Sequence, residues 1–128
     1  MNSIERIAAD VVDASIGIHR GLGPGLLETV YEQVLAGDLE RRGHKVDWQK
    51  AIDIQYDGLQ FPSAFRLDLL VDDAVIVEIK SVERLAAIHA KQLLTYLRLT
   101  DKRLGLLLNF SGETMKEGIR RLANDYRP

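Results

Sequence analysis

The stretch from Phe65 to Lys80 constrains the fold most. It holds two runs of alternating apolar residues, 65–71 and 75–80, separated only by Asp72, Asp73 and Ala74. Side chains alternate across a strand, so Phe65, Leu67, Leu69 and Val71 share one apolar face, while Arg66 and Asp68 point the other way with Leu70. In the second run Val75, Val77 and Ile79 are apolar, and Glu78 and Lys80 face oppositely. Opposed residues of an antiparallel pair point to the same side, so stacking the apolar faces requires opposing residue numbers that sum to an even number. A turn at 72–74 satisfies this, pairing Val71 with Val75, Leu69 with Val77 and Leu67 with Ile79. The same register sets Asp68 opposite Glu78 and Arg66 opposite Lys80.

Directly opposed side chains lie about 4.5 to 5.5 Å apart at Cβ, where like charges destabilise the pair. Two arrangements relieve this. Arg66 is diagonal to Glu78 and Asp68 to Lys80, so the four can neutralise one another as a charge lattice on a solvated face. Alternatively, Asp68 and Glu78 converge on a hard divalent cation, for which carboxylates, backbone carbonyls and water are the normal ligands. Lys80, two residues from Glu78 on the same face, then points an ammonium at whatever the cation holds.

Around this hairpin the periodicity alternates between helix and strand. Ile4, Ile7, Ala8, Val11, Val12, Ser15, Ile16 and Ile18 recur at helical spacing behind Ser3, until Gly21. The loop Gly21-Leu22-Gly23-Pro24-Gly25 invites comparison with phosphate-binding loops, but no strand precedes it and no Lys-Ser/Thr follows, so it reads as a joint between helices. A second helix is expected over 26–42, closed by Gly43. Strand alternation returns at Val46, Trp48, Ile52, Ile54 and Tyr56, with a turn at Asp57-Gly58 before a short strand at 59–61 that stops at Pro62. Residues 85–100 are helical in spacing, 104–110 suit a strand buried on both faces, and 113–126 read as a closing helix. The expected order is ααββββαβα in one domain spanning 1–128.

Composition narrows the chemistry. The chain has no cysteine, which removes disulfides, thiolate zinc sites, iron–sulfur clusters and cysteine nucleophiles. Three scattered histidines do not make a zinc site. No run approaches the roughly 20 apolar residues of a membrane span, and Met1 to Asp10 lacks the pattern of a signal peptide, so a cytoplasmic protein without membrane contact is expected. A formal charge of -2 gives no global basic field, so nucleic acid would need a local basic surface or a bound cation.

Asp68 on one strand and Glu78-Ile79-Lys80 on the next resemble the signature of the PD-(D/E)XK nuclease superfamily. Within it the chain is similar to the small bacterial GxxExxY family. Gly25-Leu26-Leu27-Glu28-Thr29-Val30-Tyr31 matches the name motif, with His19 ahead of it and Gln92-Leu93-Leu94-Thr95-Tyr96 and Gly105 to Phe110 following in order. The resemblance runs from about Ile16 to Leu122. It implies a restriction-endonuclease-like α/β fold, a mixed central sheet flanked by helices with the active site at the mouth of the hairpin. It also implies a catalytic set of Glu28, Asp68, Glu78, Lys80 and Gln92, in which Glu28 joins Asp68 and Glu78 as an outer metal or water ligand. Tyr31 suits packing with a satisfied hydroxyl, His19 suits the end of its helix, and His89 reads as a surface residue.

Phosphodiester hydrolysis needs a deprotonated water, stabilisation of charge at phosphorus and help for the leaving oxygen, and carboxylate-bound Mg²⁺ or Mn²⁺ supplies the first two. Lys80 suits the remaining role, either at the water or at the developing charge. A Mg²⁺- or Mn²⁺-dependent nuclease acting on DNA is therefore expected. The alternatives are a non-catalytic module that binds nucleic acid or protein on the same fold and an enzyme for another phosphodiester; a homo-oligomer is left open.

Overall fold

The computed structural model describes residues 2–127. The elements run α1 (Ser3–Leu22), α2 (Glu28–Arg41), β1 (Val46–Tyr56), β2 (Leu59–Val71), β3 (Val75–Lys80), α3 (Ala87–Thr100), β4 (Leu104–Asn109), a 3-10 turn (Lys116–Gly118) and β5 (Ile119–Ala123). The strands form one mixed sheet in the order β1-β2-β3-β4-β5, antiparallel except for β3 and β4, which lie parallel and are joined through α3. Helix α1 is capped by Asn2 rather than Ser3: the Asn2 side chain accepts from the Glu5 N–H at 2.9 Å.

The expected fold class holds, and its layering follows from alternation. On one sheet face Leu69, Val71, Val75, Val77, Ile79, Leu104, Leu106 and Leu108 pack with Ile7, Val11, Leu35 and Leu39 of α1 and α2. On the other, Leu67, Leu70, Ile76 and Leu107 meet Leu93 and Leu97 of α3. Each fully buried aliphatic side chain contributes about 1.5 to 3 kcal/mol, so both faces are needed to hold the central strands. Gly105 lets α3 approach, because a Cβ there would lie 3.0 Å from the Leu93 side chain.

Two expectations are corrected. Residues 113–126 do not form a closing helix: they make the 3-10 turn and β5, which pairs antiparallel with β4 from Leu108↔Ile119 to Leu104↔Ala123. Every residue of β4 is buried, so its outer backbone groups would go unpaired without a fifth strand, and that tertiary demand overrides the helical spacing of Met115, Ile119, Leu122 and Tyr126. Gly118 makes the entry, since a Cβ at that position would stand 2.0 Å from the Asn109 carbonyl oxygen. The expected separate strand at 59–61 is instead continuous with β2 past Pro62. A register shift between Ile52 and Ile54 absorbs the interruption, with the Ser63 N–H donating to Asp53 Oδ1 at 2.7 Å.

A lock at the far end of the hairpin was not expected. Asp72 and Asp73 both adopt positive φ, as a tight turn requires, and Asp72 also binds the segment after α2. Its carboxylate accepts from the Lys45 N–H at 2.8 Å and lies 2.5 Å from His44 Nδ1, while His44 Nε2 stands 2.7 Å from Asp10 of α1. Burial disfavours the His44 imidazolium, but the hydrogen bonds to Asp72 and Asp10 outweigh it and raise the pKa above 6.5. The contribution to stability is therefore complete below pH ~6.5 and is lost as pH rises through the higher folded value. His44→Ala should cost about 1 to 3 kcal/mol at pH 6 and less at pH 9, as read by urea unfolding at the two pH values; an equal cost at both would refute the charged lock.

Candidate active site

The hairpin register is as expected near the turn, with Leu69↔Val77 and Val71↔Val75, and then the ladder stops. The expected pairs Leu67 with Ile79 and Arg66 with Lys80 do not form part of it. Two carboxylates take over at the fork. The Asp68 N–H donates to Glu78 Oε2 at 2.7 Å, and the Ile79 N–H donates to Asp68 Oδ2 at 2.8 Å. Leu67, expected on the face of Leu69 and Val71, packs instead with Leu70 and Ile76 under α3. The alternation is interrupted at Asp68; opposite it in β1, Gln49 has φ of +53°, and the ladder skips that position between Trp48↔Leu69 and Lys50↔Leu67 without a change of register.

The fork excludes a solvated charge lattice. Glu78 is 6 % exposed, and among the described residues no ion pair within 4.0 Å joins Asp68 or Glu78 to Arg66 or Lys80. Burial first, and the charge of Asp68 second, push the Glu78 pKa up from 4.5 to about 8, against the lowering effect of Lys80. Asp68 is raised too, chiefly by burial, with Lys80 opposing. The two carboxyl groups therefore resist being charged together until positive charge is supplied.

A divalent cation fits this donor set. One oxygen of each carboxylate is engaged by a backbone N–H, leaving Asp68 Oδ1 and Glu78 Oε1 as hard donors. Mg²⁺ is ordinarily bound by one or two carboxylates with water and substrate oxygens completing its shell. Among the described residues no group of three or more His, Asp or Glu side chains is placed to share a cation. The pair is thus the unit on offer, rather than Glu28, Asp68 and Glu78 together. Glu28, at the start of α2, accepts from the Ser81 N–H at 2.9 Å and so fixes the segment leaving Lys80.

The remaining residues of the motif pattern divide between site and scaffold. Tyr31 is fully buried, stacks on Phe110 with ring centroids 4.3 Å apart, donates to the Gly23 carbonyl at 2.5 Å and accepts from the Leu26 N–H. It clamps the loop in which Gly23 and Gly25 take φ of +77° and +95°, so the glycines serve the turn between helices. His19 is buried, with Nε2 2.8 Å from the Gly112 carbonyl oxygen, and His89 Nδ1 accepts from the Ala86 N–H at the start of α3; both are structural. Gln92 is exposed on α3 without a hydrogen bond to the carboxylate pair. Its neighbour Tyr96 comes closer, stacking on Phe65 at 4.2 Å, with a phenol pKa raised by burial and by the charges of Glu78 and Asp68.

Sequence reasoning missed Glu32. It is 3 % exposed, one helical turn beyond Glu28, and accepts from Trp48 Nε1 at 3.2 Å and from Gln49 Nε2. Burial and then the charge of Asp68 raise its pKa. The i, i+4 spacing from Glu28 was the available signal; nothing in the strand pattern marked Gln49.

A family model described as the PD-(D/E)XK nuclease superfamily matches residues 5–122. No curated protein and no solved structure matches the chain. No helix among the described residues is long and apolar enough to cross a membrane.

Proposed function

Because the chain belongs to the PD-(D/E)XK nuclease superfamily, we propose that it is a Mg²⁺- or Mn²⁺-dependent nuclease of the GxxExxY group that hydrolyses phosphodiester bonds in DNA. The fork carries this reading: two carboxyl groups that resist joint ionisation sit where β2 and β3 part, next to the lysine that ends β3. A structural ion pair would place opposite charges in contact, whereas this arrangement crowds like charges and holds one oxygen of each with a backbone donor. Asp68 and Glu78 are the proposed ligands, and the bound cation would supply a water of lowered pKa and neutralise phosphoryl oxygens. Lys80 presents its ammonium to the attacking water or the developing charge, and Glu28 holds the Ser81 backbone so that Lys80 keeps its place. Gln92 and Tyr96 stand on the α3 side, where they would contact the nucleic acid.

The test is purified protein titrated with Mg²⁺ and Mn²⁺ against labelled single- and double-stranded DNA and RNA. The expected result is DNA cleavage that requires the cation and stops with chelator. Cleavage of RNA alone would move the substrate, and cation binding without cleavage of any substrate would favour a binding module on the same fold.

A further inference from the structure

We infer that Gln49 is a positioning residue that holds Asp68 in its cation-binding orientation from a buried anchor, Glu32. This rests on reading Asp68 and Glu78 as a cation pair. Gln49 lies in the middle of β1, yet its φ of +53° is left-handed, a conformation that costs a side-chain-bearing residue energy and persists only where the surroundings impose it. The distortion falls directly across from Asp68, at the break between Trp48↔Leu69 and Lys50↔Leu67. It places the carboxamide between two acidic groups. Gln49 Nε2 donates to Glu32 Oε1 and stands 3.5 Å from Asp68 Oδ1, at the outer limit of a hydrogen bond.

Each neighbour has one role open to it. Glu32 as a carboxylate only accepts, so it fixes the amide with its NH₂ group inward, and Trp48 Nε1 holds the same Glu32 oxygen from the other side. The Asp68 Oδ2 atom is already engaged by the Ile79 N–H, so the side-chain donor that reaches Oδ1, the oxygen left for a cation, is Gln49. Two donors on two oxygens set the plane of the Asp68 carboxylate, and the amide also separates its charge from that of Glu32. The result is an outer support for a ligand, of the kind whose loss ordinarily weakens metal affinity about 10- to 100-fold.

The test measures Mn²⁺ binding by calorimetry and electron paramagnetic resonance in the wild type, Gln49→Met and Gln49→Gly, with melting of each metal-free protein alongside. Gln49→Met keeps the length of the side chain without its N–H donors. Gln49→Gly deletes the side chain while accepting the left-handed backbone, and so folds even if Gln49→Met does not. Both should lose about 10- to 100-fold in Mn²⁺ affinity whatever happens to the metal-free melting temperature, and turnover should fall with KM for DNA unchanged at saturating Mn²⁺. A residue that merely satisfied Glu32 would shift melting and leave affinity alone. Affinity equal to or tighter than wild type in the variants overturns the inference by itself, whereas a wild type that binds no Mn²⁺ overturns the cation reading and the inference with it.

Discussion

Lys80→Ala should cleave DNA about 10² to 10⁴ times more slowly than the wild type at saturating Mg²⁺, with substrate affinity and Mn²⁺ affinity little changed. Lys80 ends β3, beside the Asn109 register position of β4, and the Phe110 N–H donates to its carbonyl at 2.9 Å, so removing the side chain beyond Cβ leaves the backbone pairing intact. Its charge opposes the rise of the Asp68 and Glu78 pKa values without reversing it, and among the described residues no ion pair within 4.0 Å consumes it. An ammonium in that position contributes most where negative charge grows, in the transition state, so the loss should fall on kcat rather than on KM. Glu78→Gln should abolish cleavage for a different reason, with Mn²⁺ binding collapsing alongside. Lys80→Ala turning over at the wild-type rate would remove the lysine from the reaction, and Glu78→Gln with normal activity would remove the site.

The half of the hairpin nearest the turn was legible because apolar alternation fixes register: Val71 with Val75 and Leu69 with Val77 follow from burying both rows on α1 and α2. The outer half was not, because at Asp68 side-chain carboxylates replace backbone acceptors, and no period in the sequence reports that exchange. Leu67 then changes face, which alternation alone forbids. The last strand was hidden for a tertiary reason: Ile119 to Ala123 serve the open edge of β4, a demand absent from their own local pattern. Asp68, Glu78 and Lys80 stood out as a charged set in an apolar hairpin, whereas Glu32 and Gln49 matter only through proximity made by the fold. Asp72 illustrates the same limit, since turn chemistry explains its positive φ but not its grip on His44 and Lys45.

The crowding of Asp68 and Glu78 predicts how stability depends on pH and metal. Glu78 in the folded protein holds its proton to about pH 8, above its ordinary 4.5, because of burial and then the neighbouring Asp68 charge. Between these values the folded state binds more protons than the unfolded state, so metal-free stability falls as pH rises, at up to about 1.4 kcal/mol per unit. Asp68, also raised, acts with the same sign, and so does the His44 lock at higher pH. Glu78→Gln keeps the neutral shape at every pH and removes the Glu78 part of this slope, so the variant should gain on the metal-free wild type progressively from pH 5 to pH 8. Mn²⁺ should do the opposite to the comparison, because on the proposed reading it would bind the ionised pair. At a hundredfold excess over Kd it should add about 2.7 kcal/mol to the wild type, with its largest effect at high pH, and should add nothing at this site in Glu78→Gln. Urea unfolding from pH 5 to pH 8 with and without Mn²⁺ checks both signs, and a Glu78→Gln protein that tracks the metal-free wild type at every pH would show that the two carboxyl groups are not in conflict.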